Sequence, residues 1–322
     1  MIRNRVSTVK SVNQTTGVVT IESVNDATGT AVITVKVVEG SNYKAAANTT
    51  VSVNATLVTI YGVEWNRTSS GGVKVKEPKY YFKWAKTGKK LKLQIADGPT
   101  DGFSIGPVNR DRGDGLRELD YLYIGRYHCG SDYKSTTNVA QKVSITRSTA
   151  RSGVHNLGSN FWQMDFAQFW HVNMLFLVEF ADWNGERIGR GCSTSGSKMN
   201  NGQIEAMQYH TGTTVDNCDS YGFTQYRNIE GWWDNVYDWM DGCYYNSNGL
   251  NVISNLNNFS DSANGTLVGK PTDGYPSDFA IPTASGLEWA LYPSANSGSQ
   301  MTYVPDYWGF SGGYPCLLWR CL

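Results

Sequence analysis

Four groups of residues in this chain have types and spacings that could do chemistry. In "GWWDNVYDWMDG", Gly231–Gly242, the side chains alternate. A strand there would set Trp233, Asn235, Tyr237 and Trp239 on one face and Asp234, Val236, Asp238 and Met240 on the other. The paired carboxylates Asp234 and Asp238 could shuttle protons, bind calcium or accept hydrogen bonds from indole and backbone N–H groups. A glycosidase needs two carboxylates from separated segments flanking a groove, and the sequence identifies no second segment. Cys316 and Cys321 have a C-x4-C spacing, and two neighbouring thiolates suit a soft metal such as Cu(I). The Gly-rich acidic run "RDRGDG", residues 110–115, lacks the distal bidentate Glu of an EF-hand. It contains the adhesion-like tripeptide Arg112-Gly113-Asp114, and it reads as a loop held by local Asp and Arg hydrogen bonds. His171 has no second His or Cys three or four residues away, so it reads as a core histidine and not as a metal ligand.

Composition narrows the field. Of 322 residues only 17 % are charged and 13 % are aromatic, and the formal net charge is +0. A chain this rich in Trp and Tyr has the material for a core and is not disordered. Without a basic excess there is no electrostatic case for nucleic acid or an anionic membrane. "MIRNRVSTVKS" has no apolar h-region, so no signal peptide is expected. "FWQMDFAQFWHVNMLFLVEF" carries too many polar groups for a membrane span and reads as a buried helix, which excludes membrane insertion. The six cysteines are scattered through a chain too large to need disulfide staples, and read as free thiols.

The elements that must position these groups fall into two parts. Residues 1–60 contain one aromatic residue, Tyr43, and are dominated by Val and Thr. In "AVITVKVV" Ala31, Ile33, Val35 and Val37 share one face, the period of a half-buried strand. With "GVVTIES" and "TVSVNATLVTI" this predicts a small all-β sandwich. From Tyr61 to Leu322 aromatics become dense and the pattern is α+β. "GVKVKEPKYYFKWAKTGKKLKLQIAD" predicts two strands around a turn, with the lysines on a solvated face. "SITRSTARSGVHNLG" predicts a short helix capped by Ser144 or Thr146 and ended by Gly153 or Gly158. A long core helix is predicted over about Phe161 to Ala181, closed by Asn184-Gly185. Short aromatic strands follow.

Two resemblances extend this reading. "ATGTAVITVKVVEGSNYKAA" resembles bacterial Ig-like spacer modules. "GWWDNVYDWMDG" resembles the G-N-V-W-E-W strand of the C-type-lectin-like fold shared by formylglycine-generating enzymes and phage tropism-determinant proteins. That likeness implies a structural motif in which Trp233 and Trp239 enter the core while Asp234 and Asn235 tie loops. The longer pattern "LQIADGPTDGFSIGP", "RDRGDGLRELDYLYIGRY", "YRNIEGWWDNVYDWMDG" and "IPTASGLEWALYPS", with the long-helix segment, resembles a large family of phage tail and adhesin-like proteins. Several members look like variable proteins diversified by retroelements. This match covers about Tyr61 to Pro315.

It implies a non-enzymatic ligand display without cofactor or metal, at a virion tail or a bacterial or phage surface. Tyr307, Trp308, Phe310 and Tyr314 would be binding aromatics and Asp306 a polar contact. The partner would be a host-cell surface protein or glycan. Tail or virion partners and a homotrimer are compatible with it. A structural baseplate subunit and a formylglycine-generating-type oxidase using Cys316 and Cys321 are the rival readings. Family members continue past "SGGYPC", whereas this sequence runs to "LLWRCL", so a partial display end is expected.

Overall fold

The computed structural model describes residues 7–12, 19–23, 29–35, 49–55, 66–68, 71–113, 118–183, 200–207, 210–214, 223–233, 236, 238–271, 273–296, 307–309 and 316–318. The chain divides into two compact units, Met1–Ile60 and Tyr61–Leu322. The first contains β1 (Ser7–Val12), β2 (Val19–Ser23), β3 (Gly29–Val35) and β4 (Thr49–Ala55). They form two antiparallel ladders, β1–β2 and β3–β4.

The second unit is α+β. Its first strands are β5 (Asn66–Thr68), β6 (Gly72–Pro78), β7 (Tyr81–Thr87), β8 (Lys90–Ala96), β9 (Ser104–Ile105) and β10 (Tyr121–Gly125). They pair antiparallel in the orders β10–β6–β5 and β8–β7–β9. Alternation decides the faces. Phe82, Trp84, Leu91, Leu93 and Ile95 turn toward the core while Lys83, Lys90 and Lys92 are exposed. Lys86 departs from the solvated face, donating to Asp278 Oδ2 at 2.7 Å and to the Phe279 carbonyl at 2.6 Å.

Helix α1 (Arg147–His155) starts at Thr146, whose hydroxyl accepts from the Thr149 N–H. Gly153 lies inside α1 and does not end it. A Cβ there would meet the Tyr133 ring at 2.1 Å, so only glycine admits that packing. Helix α2 (Phe166–Phe180) begins later than its apolar run because Asp165 and Gln168 form a capping box. Asp165 Oδ1 accepts from Ala167 N–H at 2.8 Å and Gln168 N–H at 3.1 Å, and Gln168 Oε1 accepts from Asp165 N–H at 3.1 Å. Such a cap stabilises a helix start by about 1 kcal/mol. The helix ends at Ala181, left-handed at φ 52°. Phe166, Phe169, Trp170, Met174 and Phe176 are fully buried, each stabilising by about 2–3 kcal/mol relative to exposure. No helix among the described residues is long and apolar enough to cross a membrane.

The remaining strands are short and antiparallel. They are β11 (Gly212–Thr213), β12 (Thr224–Tyr226), β13 (Ile229–Glu230), β14 (Asp238–Trp239), β15 (Cys243–Asn246), β16 (Gly249–Val252), β17 (Thr266–Gly269), β18 (Asp278–Ala280), β19 (Tyr292–Ala295), β20 (Tyr307–Gly309) and β21 (Cys316–Leu318). They form the sheets β11–β12–β13, β15–β16–β17, β18–β19 and β14–β21–β20. Of the strand expected across residues 233–240 the described residues show β14, and 234, 235 and 237 lie outside them. Gly231, at φ 63°, turns the chain after β13 and sends Trp232 and Trp233 into the core at 4 % and 3 % exposure.

Candidate functional site

The C-terminal sheet joins the tryptophan–aspartate motif to the expected display strands. Asp238 lies opposite Leu317 and Trp239 opposite Cys316, while Tyr307, Trp308 and Gly309 lie opposite Leu318, Leu317 and Cys316. A second tie comes from Gly274. Its N–H donates to the Trp308 carbonyl at 2.9 Å and its carbonyl accepts from Trp308 N–H at 3.0 Å. The hairpin base is thus hydrogen-bonded on both of its strands.

Trp308 corrects the expected ligand set. It is 0 % exposed. Its ring packs edge-on against Phe166 at 6.3 Å, Phe169 at 6.5 Å and Phe279 at 5.9 Å. A side chain so enclosed anchors the hairpin in the core and cannot touch a surface ligand. The alternation of a strand explains the error: one tryptophan in an exposed-looking aromatic run faces inward. Tyr307 is placed by its backbone in β20. Its side chain, and Asp306, Phe310 and Tyr314, lie outside the described residues.

In the motif itself, Trp233 packs on Phe176 at 5.6 Å. Trp239 is half-buried and its indole donates to the Ile145 carbonyl at 2.8 Å. Asp234 and Asn235 lie outside the described residues. Asp238 has a partner that sequence reasoning missed. His128 Nε2 lies 3.2 Å from Asp238 Oδ1 and 3.3 Å from Oδ2, both side chains being largely buried. Burial pulls the His128 proton off, but the Asp238 carboxylate outweighs it with help from Glu230, and His128 is held above the usual histidine range. The two residues stand 110 apart, and no local pattern marks them as a pair.

The other chemical candidates also find places. Arg112 of the adhesion-like tripeptide is buried, with Nη2 3.0 Å from Asp165 Oδ2. Gly113 N–H donates to Asp111 Oδ1 at 2.8 Å, as a locally held loop requires. Arg112 and Gly113 are thus tied into the fold, and Asp114 lies outside the described residues. His171 is 0 % exposed and stacks on Tyr80 at 4.3 Å. Cys129 and Cys243 are free thiols, and burial raises both above the usual thiol range. That disfavours thiolate chemistry at either. Cys316 is placed by its backbone in β21, and Cys321 lies outside the described residues. No three His, Cys, Asp or Glu side chains converge as a metal site among the described residues.

No protein-family model matches the chain, and no curated protein matches it.

Proposed function

We propose that the protein is a non-enzymatic receptor-binding protein of the phage-tail or surface-adhesin kind. Its second unit would be a C-type-lectin-like scaffold of the type diversified by retroelements, and its first unit an Ig-like spacer. The observation that carries this reading is the anchoring of the β20–β21 hairpin. Trp308 is locked among three phenylalanines, β21 is zipped to β14, and Gly274 holds β20. Residues 310–315, "FSGGYP", connect the two strands. A loop on a rigid base binds with little ordering cost, which is how scaffolds present contact residues. Phe310 and Tyr314 supply amphipathic contact area at low rotamer cost. In this reading Phe310, Tyr314, Tyr307 and Asp306 meet the ligand, a cell-surface protein or glycan, and Trp308 holds the platform.

The test is binding of the purified chain to bacterial cell surfaces and to a glycan array, beside Phe310→Ala/Tyr314→Ala. Saturable binding that falls by about tenfold or more in the double variant, with melting unchanged, is the expected result. A well-folded wild type that binds nothing would overturn receptor binding and favour a structural tail subunit.

A further inference from the structure

A second surface alternates rings and ammonium groups. In β6 Val75 and Glu77 are buried, so Lys74 and Lys76 face outward. In β10 Ile124 is buried, so Tyr121 and Tyr123 face outward, Tyr121 at 45 % exposure. The register sets Tyr123 opposite Lys76 and Gly125 opposite Lys74. Lys76 Nζ sits 4.4 Å from the centre of the Tyr121 ring, and Tyr121 meets Tyr123 edge-on at 5.4 Å. Lys74 Nζ sits 4.1 Å over the Phe161 ring.

We propose that this outer face of β6 and β10, continued by Phe161, binds the carboxylated sugars of an acidic polysaccharide. Sugar rings present C–H faces that pack on Tyr and Trp, while their carboxylates need a cation beside the ring. The face offers both in alternation. Lys74 is the decisive cation. Lys79 and Lys86 are matched by Asp120 and Asp278, but Lys74 has no carboxylate within ion-pair distance among the described residues. Burial has stripped part of its water and loosened its proton, and an arriving carboxylate restores that charge. Asp120, the acid next to Tyr121, is already held by Lys79 at 2.6 Å. Single-stranded nucleic acid suits the face less well, because it asks for a basic groove that tracks the phosphates, and the cations shown here are the ammoniums of Lys74 and Lys76, each beside a ring.

The experiment titrates the full chain with fluorescent oligogalacturonate, maltohexaose and oligo-dT, following anisotropy at low and high salt. Expected are saturable, salt-weakened binding of oligogalacturonate and none of maltohexaose. Lys74→Gln and Tyr121→Ala should each weaken it by about tenfold without moving the melting temperature. No saturable uronate binding, equal binding of maltohexaose, or binding indifferent to both substitutions would overturn the proposal. Tighter binding of oligo-dT would overturn it in favour of nucleic acid. Phe310→Ala/Tyr314→Ala should leave this binding intact, so the two surfaces stand or fall separately.

Discussion

Two buried polar regions of the second unit handle charge in opposite ways. At the N-terminal end of α2 the charges are matched. Arg151 donates to Asp241 at 2.6 and 2.8 Å and to Asp261 at 2.6 Å. Arg147 reaches Asp261 at 2.8 Å and the Met240 carbonyl at 3.1 Å. Arg112 lies against Asp165. Around β6 the charges are unmatched. Glu77 is 0 % exposed and neither carboxyl oxygen finds a hydrogen-bond donor among the described residues. Burial raises it to about 7, against the pull of Arg227. His171 nearby is lowered to about 3 by burial, opposed by the Pro78 carbonyl, though neither ring nitrogen makes a well-aligned hydrogen bond. The ion pairs of the first region behave as a staple. In the second, burial favours the neutral forms of Glu77 and His171, and its stability must depend on pH.

The largest effect should come from His171. Its folded value lies below its unfolded value of 6.5, so the neutral ring's contribution is full above pH 6.5 and is lost as pH falls toward about 3. A shift of that size corresponds to about 5 kcal/mol across the window. His171→Phe should remove that part of the acid dependence, read as a shrinking gap between variant and wild-type denaturation curves from pH 7 to pH 4. A constant gap would mean that His171 takes up its proton as readily in the fold as in the unfolded chain. Next comes the staple. Asp241→Ala leaves Arg151 without its bidentate partner, and breaking such a buried pair costs about 3–5 kcal/mol. Urea denaturation at pH 7 should show it, with little salt dependence. A loss under about 1 kcal/mol would place the pair with surface bridges.

Glu77 sharpens the contrast because its sign is reversed. Its folded value is above the unfolded 4.5, so the protein binds an extra proton on folding and loses stability as pH rises from 4.5 through about 7. The penalty at pH 8 is about 3 kcal/mol. Glu77→Gln, which keeps shape and removes the ionisation, should stabilise by about that amount at pH 8 and change little at pH 4. Equal stabilities at pH 8 would show that the Glu77 carboxylate is paired.

Local patterns were legible in the sequence where one element's own chemistry decides them. The composition break at Tyr61 falls where the contact units divide. The lysines Lys83, Lys90 and Lys92 of β7 and β8 face outward because the strand period requires it, and the same period turns Lys86 inward beside Trp84, where Asp278, 192 residues away, meets it. The core helix was visible, but its start was overextended: Phe161 and Trp162 belong to the apolar run, yet the Asp165–Gln168 box fixes the first turn. "DFAQ" carried that signal. The site was less legible. Aromatic density marks Trp308 as a contact residue but does not reveal which way a strand faces, and facing is decided by Phe166, Phe169 and Phe279, on other elements. Unmatched Glu77 and matched Asp241 look alike as letters. Only distant partners separate them.

His128 and Asp238 fall between the two regions, partly buried and matched, and they bear on the display strands. Asp238 belongs to β14, to which β21 is paired, so the histidine's charge is coupled to the sheet that holds the hairpin. The folded value of His128 is raised, so its stabilising contribution is full below about 6.5 and is lost as pH rises through the folded value. Glu230 adds to the attraction from β13. An ion pair with some solvent access contributes about 1 kcal/mol or less, the smallest effect here. It is also the most local. Amide hydrogen exchange at Trp239 and Leu317 should accelerate between pH 6 and pH 9 beyond the intrinsic rate, and His128→Gln should abolish the excess while leaving α2 unchanged. Exchange that accelerates equally in α2 would mean that the pair supports the whole unit, and the hairpin base would then have no pH response of its own.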